Sequence, residues 1–381
     1  MVSMRSTARR RRVALTAVFA TVVLNCGLIN PLDHLQGGRG DADVDVDAAV
    51  GADGESPGVD GGAEGSSVVD ADGPCSRSPW TDCGVVIVAT PQDPGDAVFG
   101  LSTGAVHFTD TATGEVSTAT CTSDACTTPT LVVGGEDRPR RMAFASDSLY
   151  WTTTTAMRRL RIYGPPDAAP TPVETLDTLQ GETELIGTWQ NPYVFWTDEK
   201  GARGRHAVGD VATLSSAPSS SPSISPKGAM FVSGGEAKVR TWDLTGLGPM
   251  STVANSAGVV RVGWSVVMLG AIFEVFGVVG AFPQEAGAGT RLLLLDKVDD
   301  AGAPLVLANE ASAVRSFVGT GDALYWTNDA GELRRRANDS NVVKTLLRGL
   351  SSNTSLRGTK ETSSILITDR GSKKILLYTP R

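Results

Sequence analysis

From residue 84 onward, apolar and polar positions alternate in short runs separated by Gly, Asn and Asp. No helical period is sustained anywhere in that stretch, so the pattern predicts strands joined by tight turns. Residues 314–347 carry the pattern most clearly. Val314 to Val318 predicts a strand, and Gly319, Gly321 and Asp322 predict a turn. Ala323 to Thr327, rich in Tyr, Trp and Thr, predicts a second strand. Asn328-Asp329-Ala330-Gly331 has the residues that tolerate positive φ in a hairpin. Glu332 to Arg336 then reads as a third, more exposed strand and Val342 to Leu347 as a fourth.

The same unit recurs. An aromatic or aliphatic pair followed by Thr or Ser and a small or polar residue stands at His107-Phe108-Thr109-Asp110, Tyr150-Trp151-Thr152-Thr153 and Phe195-Trp196-Thr197-Asp198. It returns at Phe231-Val232-Ser233-Gly234, Tyr325-Trp326-Thr327-Asn328 and Leu366-Ile367-Thr368-Asp369. The gap between Phe231 and Tyr325 is about two periods, so one worn unit is expected within Val260 to Val279. A period of about 40–45 residues with four strands per unit is that of a β-propeller blade. The fold expected is therefore all-β, a propeller of six or seven four-stranded blades over residues 74–381. The apolar run Trp264 to Phe282 has the length of a membrane helix. Its glycines and β-branched residues, and the resumption of the repeat after it, favour buried strands of the worn blade.

Composition changes the picture mainly at the N-terminus. Residues 1–40 hold six Arg and one Asp, and residues 41–73 hold ten acids and no Lys or Arg. With −8 overall, the remainder is close to neutral, which excludes the basic footprint of a nucleic-acid binder. Arg5 and Arg9 to Arg12, followed by the apolar stretch Val13 to Leu24, read as an export signal. Val23-Leu24-Asn25-Cys26-Gly27 resembles a bacterial lipobox, which implies lipidation of Cys26 and a signal segment 1–26. Asn25 departs from the small residue usual before the cysteine, and an ordinary signal peptide or an uncleaved anchor remains the alternative. Residues 27–73, dominated by Asp, Gly, Ala and Val, are expected to be a disordered acidic linker. Alternating Asp41, Asp43, Asp45 and Asp47 lack the Gly and Glu that an EF-hand loop needs.

Setting Cys26 aside leaves Cys75, Cys83, Cys121 and Cys126 in two close pairs. In an oxidising compartment these read as two disulfides, because Cys75 and Cys83 are too far apart for the usual zinc spacing. Catalytic signatures are missing: there is no G-x-S-x-G, P-loop or H-E-x-x-H, and Gly319-Thr320-Gly321 stops short of a dinucleotide fingerprint. His34 falls in the linker, His107 occupies a repeat position and His206 sits in a Gly/Arg stretch. Asp110, Asp198 and Asp369 occupy equivalent repeat positions, which points to a shared structural role. The arginine clusters at 138–141, 158–161 and 334–336 read as solvated outer-strand faces. No catalytic, cofactor-binding or metal-ligating residue is assigned, and no cofactor is expected.

The Tyr-Trp-Thr-(Asp/Asn) units resemble the YWTD-type propeller repeat. They are also similar to the NHL-like repeats of exported bacterial lipoproteins, a group that the lipobox-like Cys26 and acidic tether fit. The first resemblance implies six blades, whereas the spacing favours seven. Together these readings predict a lipid-anchored propeller exposed at the outer membrane or cell surface, otherwise periplasmic or secreted. It would bind an unknown protein, glycan or peptide. Two alternatives stand beside it: a channel-centred metal-dependent lyase or hydrolase, and an envelope-assembly lipoprotein working by strand augmentation.

Overall fold

The computed structural model describes residues 83–101, 104–163, 171–188, 191–206, 209–225, 228–243, 246–269, 273–284, 289–297, 304–358 and 364–380. The export signal, Cys26, His34, the acidic linker and Cys75 lie outside the described residues.

Strand β1 (Val85–Ala89) comes first. Blade 1 follows with β2 (Pro94–Phe99), β3 (Ala105–Asp110), β4 (Glu115–Thr120) and β5 (Thr130–Val133). Blade 2 is β6 (Met142–Ala145), β7 (Ser148–Thr152), β8 (Ala156–Arg161) and β9 (Glu174–Thr178). Blade 3 is β10 (Glu184–Thr188), β11 (Asn191–Asp198), β12 (Gly201–His206) and β13 (Val211–Ser215). Blade 4 is β14 (Ser219–Ser225), β15 (Gly228–Ser233), β16 (Glu236–Asp243) and β17 (Gly246–Thr252). Blade 5 is β18 (Arg261–Leu269), β19 (Phe273–Pro283), β20 (Thr290–Lys297) and β21 (Leu305–Glu310). Blade 6 is β22 (Val314–Gly319), β23 (Ala323–Asn328), β24 (Glu332–Ala337) and β25 (Val343–Arg348). Blade 7 has β26 (Thr354–Gly358), β27 (Ile365–Asp369) and β28 (Lys374–Tyr378).

Each blade is an antiparallel meander running outward from its first strand. The first strands contact one another in sequence, from β2 through β6, β10, β14, β18 and β22 to β26 and back to β2, which closes a ring of seven. Blade 7 would be a strand short, and β1 supplies it by pairing antiparallel with β28, so the two ends of the domain share one sheet. This settles the count at seven blades. The apolar run from Trp264 forms the antiparallel pair β18–β19 in blade 5, where the worn unit was expected. Among the described residues, no helix is long and apolar enough to cross a membrane.

The repeat has a simple packing logic. Neighbouring residues in a strand point to opposite faces, and each blade face meets a different neighbour. Tyr150 of blade 2 packs with Leu185, Val194 and Trp196 of blade 3. Trp151 packs the other way, with Val98 and Val116 of blade 1. Trp326 likewise faces Val279, Ala281 and Leu292 of blade 5, while Tyr325 faces Leu356, Ile365 and Ile367 of blade 7. The first residue of each pair thus seals the next interface and the second seals the previous one. Trp151, Trp196 and Trp326 are fully buried as a result.

Blade 4 corrects one reading. Asp198 pairs with Gly201 and Trp196 with Arg203, whereas in blade 4 Ser233 pairs with Glu236 and Phe231 with Lys238. The unit there is Met230-Phe231-Val232-Ser233, one residue earlier than the sequence pattern suggested. Phe231 holds the tryptophan place, and it faces Phe195 and Leu214 of blade 3 as that place requires. A one-residue slip in a strand exchanges its faces, so the distinction is physical.

The hairpin turns behave as their residues predict. Gly331 sits at φ 73°, its N–H donates to Asn328 O at 3.0 Å, and an added Cβ would collide with the carbonyl of Leu350. A disulfide joins Cys121 to Cys126 between β4 and β5. Cys83 is also disulfide-bonded, and its expected partner Cys75 lies outside the described residues. Because the Cys121–Cys126 loop is short, replacing both cysteines with serine is expected to cost only about 2 kcal/mol in urea unfolding at pH 7. A loss above roughly 4 kcal/mol would mean the bridge holds more than its own loop.

Candidate functional site

The first strands of neighbouring blades do not pair through their backbones, so their inward edges need other partners. Side chains of the preceding blade supply them. Met142 N donates to Asp96 Oδ2 at 3.2 Å, and Val262 N donates to Ser221 Oγ at 3.0 Å. Leu356 N donates to Ser316 Oγ at 3.1 Å, and Ser221 N donates to the Glu184 carboxylate at 2.5 Å. Asp96, Ser221 and Ser316 each fall at a register shift in their strand. A bulge re-aims a side chain, which here turns it across the gap to the next blade.

Asp96 is the centre of this set. It is fully buried, and it accepts from Ala97 N at 3.0 Å, Ser355 Oγ at 3.3 Å and Arg357 Nη2 at 2.7 Å. Burial alone would raise its pKa; Arg357, with Arg141, Arg370 and the Met142 N–H, reverses that and holds the carboxyl below its ordinary value. The same Arg357 Nη2 donates to Leu185 O at 3.0 Å. One guanidinium on β26 of blade 7 therefore grips β2 of blade 1 and β10 of blade 3, reaching across the ring. Arg370, from the β27–β28 turn, adds bonds to the carbonyls of Pro94 and Gly95. Arg261 of blade 5 pairs with Glu184 of blade 3 at 3.4 Å. The innermost strands are laced together by charged side chains bonded to one another and to backbone.

The sequence reading missed this cluster. Its only local signal is an aspartate inside the β-strand Gly95-Asp96-Ala97, where Asp is unfavourable.

The repeated acids do different work. Asp110 accepts from Gln92 N at 2.7 Å, Asp93 N at 3.1 Å and Ala112 N at 3.0 Å. Asp198 accepts from Gln180 N and Lys200 N at 3.0 and 2.8 Å, and Asp369 accepts from the N–H groups of Ser351 and Ser372. Each stitches its own hairpin to the segment leading into its blade. Asn328 fills the same place in blade 6 by accepting from Glu332 N at 3.1 Å. Among the described residues, no group of three or more His, Cys, Asp or Glu side chains is placed to hold a metal ion.

The arginine clusters on β8 and β24 differ from the expectation of solvated faces. Arg158 grips Glu136 through both Nε and Nη2 at 3.1 Å, and Trp151 Nε1 donates to the same carboxylate at 3.0 Å. Blade 3 repeats this with Trp196, Arg203 and Asp177, with Arg203 also bonded to Asp198. Blade 6 repeats the ion pairs, with Arg334 at 3.3 Å from Glu310 and 3.4 Å from Glu332. A second layer stands one residue on, where Arg159 lies over Tyr150 and Arg335 over Tyr325, the latter also paired with Asp322 at 3.0 Å. These arginines are half-buried, and Arg203 buried, because their stems pack on aromatic rings with their charge spent on neighbouring acids. In the remaining cluster, Arg141 is half-buried and belongs to the channel set, whereas Arg138 and Arg140 are exposed as expected.

His107 occupies the Tyr place of blade 1, and its cross-strand neighbour is Thr118 where blades 2 and 6 set Arg159 and Arg335 over the ring. It is 4% exposed, stacks on Phe144 and bonds through neither ring nitrogen. Burial lowers its pKa to about 4 from an ordinary 6.5. Between those values the unfolded chain binds the extra proton, so stability falls as pH drops from 6.5 towards 4, by up to about 3 kcal/mol. The variant His107→Phe is expected to lose that component while remaining folded at pH 7. Identical pH profiles for the two proteins in urea unfolding would refute it. His206 lies edge-on to Tyr193 at 4.9 Å.

No family model matches the chain, and no curated protein matches it. Solved structures do. The WD40 β-propeller domain of Doa1 is similar at TM-score 0.52 and 12% identity, covering 78% of this chain and 98% of that one. The WD40 repeats of RRP9 are similar at TM-score 0.53 and 8% identity, with 81% and 99% covered. Hydrazine synthase of Kuenenia stuttgartiensis is similar at TM-score 0.53 and 10% identity, with 76% and 97% covered. At such identities the likeness is one of fold, and with the sheet order it makes the chain a seven-bladed β-propeller closed by its N-terminal strand.

Proposed function

We propose that this chain is an exported, lipid-anchored binding scaffold whose propeller presents its faces and rims to a partner in the cell envelope. The observation that carries the reading is the Arg357 bridge between Asp96 and Leu185. It occupies the place where a propeller enzyme would converge its reactive groups, and it uses those groups to tie blades together. The repeated acids are likewise held by backbone donors, which leaves the outer surfaces as the part of the molecule open to a partner. The arginine-rich leader, the cysteine at position 26 and the acidic tether support anchoring at a membrane. The resemblance of the repeats to those of exported bacterial lipoproteins supports the same placement.

Metabolic labelling with a radioactive fatty acid tests the anchor. Label in the intact chain and none in Cys26→Ala is expected, with the variant leaving the membrane fraction. Equal fractionation of both would contradict it. Cross-linking in intact cells tests the scaffold, through a discrete adduct of constant mass. A chain that stays monomeric with every reagent length would contradict it.

A further inference from the structure

Blade 4 departs from its sisters in one place. In blades 3 and 6 an arginine on the third strand holds two carboxylates. Arg203 has Asp177 and Asp198, and Arg334 has Glu310 and Glu332. One of the two, Asp177 or Glu310, comes from the outermost strand of the preceding blade. In blade 4 the register puts Lys238 in the arginine place, across from Phe231. It puts Ser215 in the place of Asp177, because Ser215 pairs with Ala202 as Asp177 pairs with Met157. Tryptophan, arginine and acid have become phenylalanine, lysine and serine.

Lys238 Nζ bonds Glu236 at 2.6 Å and Thr252 Oγ1 at 2.7 Å, which uses two of its three donors. Glu236 is the counterpart of Glu332, so the second carboxylate of the sister blades has no counterpart here. Beside Lys238 and Ser215 lies a groove of about 510 Å³. Its lining includes Ser215, Pro218, Glu236, Lys238 and the half-exposed Met250. The groove thus offers an ammonium with a spare donor and a hydroxyl beside a thioether and a proline ring.

We infer that this groove binds an organic carboxylate carrying an apolar chain, its carboxylate standing where Asp177 and Glu310 stand in the sister blades. The ligand is either a free acid or the C-terminus of a polypeptide, since both present that chemistry. The inference rests on the scaffold reading and names one site on it.

The test uses the intact chain with ¹³C-methyl methionine, the Met250 signal being assigned with Met250→Leu. Probes are hexanoate, its amide, N-acetyl-dileucine and its amide. Either acid is expected to move the Met250 signal saturably, and the amides at least tenfold more weakly. The stronger acid assigns the source, hexanoate a free acid and the dipeptide a polypeptide end. Lys238→Met is expected to weaken binding at least tenfold and Lys238→Arg to retain it. Ser215→Asp, which restores the sister blades' acid, is expected to abolish binding in a protein that unfolds at the same or a higher temperature. No movement with either acid, or equal response to the amides, overturns the assignment. A partner adduct in cells with no acid binding here overturns the groove alone and leaves the scaffold standing.

Discussion

Replacing Asp96 with alanine lowers the free energy of unfolding by about 3–5 kcal/mol, the range for breaking a buried ion pair by removing one partner. The variant strips the carboxylate partner from Arg357 and the acceptor from Met142 N. Asp96→Asn keeps the shape but not the charge, so it is expected to fall between wild type and alanine. The carboxylate's contribution is full above its ordinary pKa of 3.8, because its folded value is lower. It is lost as pH falls through that folded value, so the difference between Asp96→Asn and wild type should shrink in acid. Urea unfolding across pH checks both statements. A cost under about 1 kcal/mol, that of an ordinary surface pair, would show that the channel lacing is decorative.

Removing β1 has the larger effect. A chain beginning at Pro91 lacks the strand that completes blade 7, and with it the buried side chains of Val85 and Val88. Burial of two valines is worth about 3–4 kcal/mol, before the ladder to β28 is counted. Together with that ladder, the loss takes a large share of a total stability of about 5–15 kcal/mol. The bared edge of β28 would also recruit other chains. Expected results are loss of the cooperative thermal transition and of the monomer peak in size exclusion. Adding back the peptide of residues 83–90 is expected to restore part of both. A truncated chain that unfolds cooperatively near the wild-type temperature would refute closure through β1.

The strands were legible in the sequence because each is short, alternating and bounded by turn residues. The unit at 314–347 could be divided almost residue by residue, down to the hairpin glycine at 331. Blade 4 was misplaced by one residue because Met230, Phe231 and Val232 are all apolar and Gly234-Gly235 blurs the turn. Only the pairing of Ser233 with Glu236 fixes the register. The arginine clusters look solvated in the sequence because these acids are remote along the chain, Glu136 at 22 residues from Arg158 and Glu310 at 24 from Arg334. The channel was the least legible part. Asp96 and Arg357 are 261 residues apart, and no local pattern reports a contact made only when the ring closes.

The central claim is that the channel's charged groups bind the blades to one another and that the propeller works as a scaffold. Native mass spectrometry of residues 74–381, made in an oxidising compartment, tests it most directly. The account predicts a metal-free mass, four hydrogens below that of the fully reduced chain. A stoichiometric calcium or zinc ion that is lost on replacing Asp96 or Glu184 would contradict it, and would move the channel from bolt to catalytic centre.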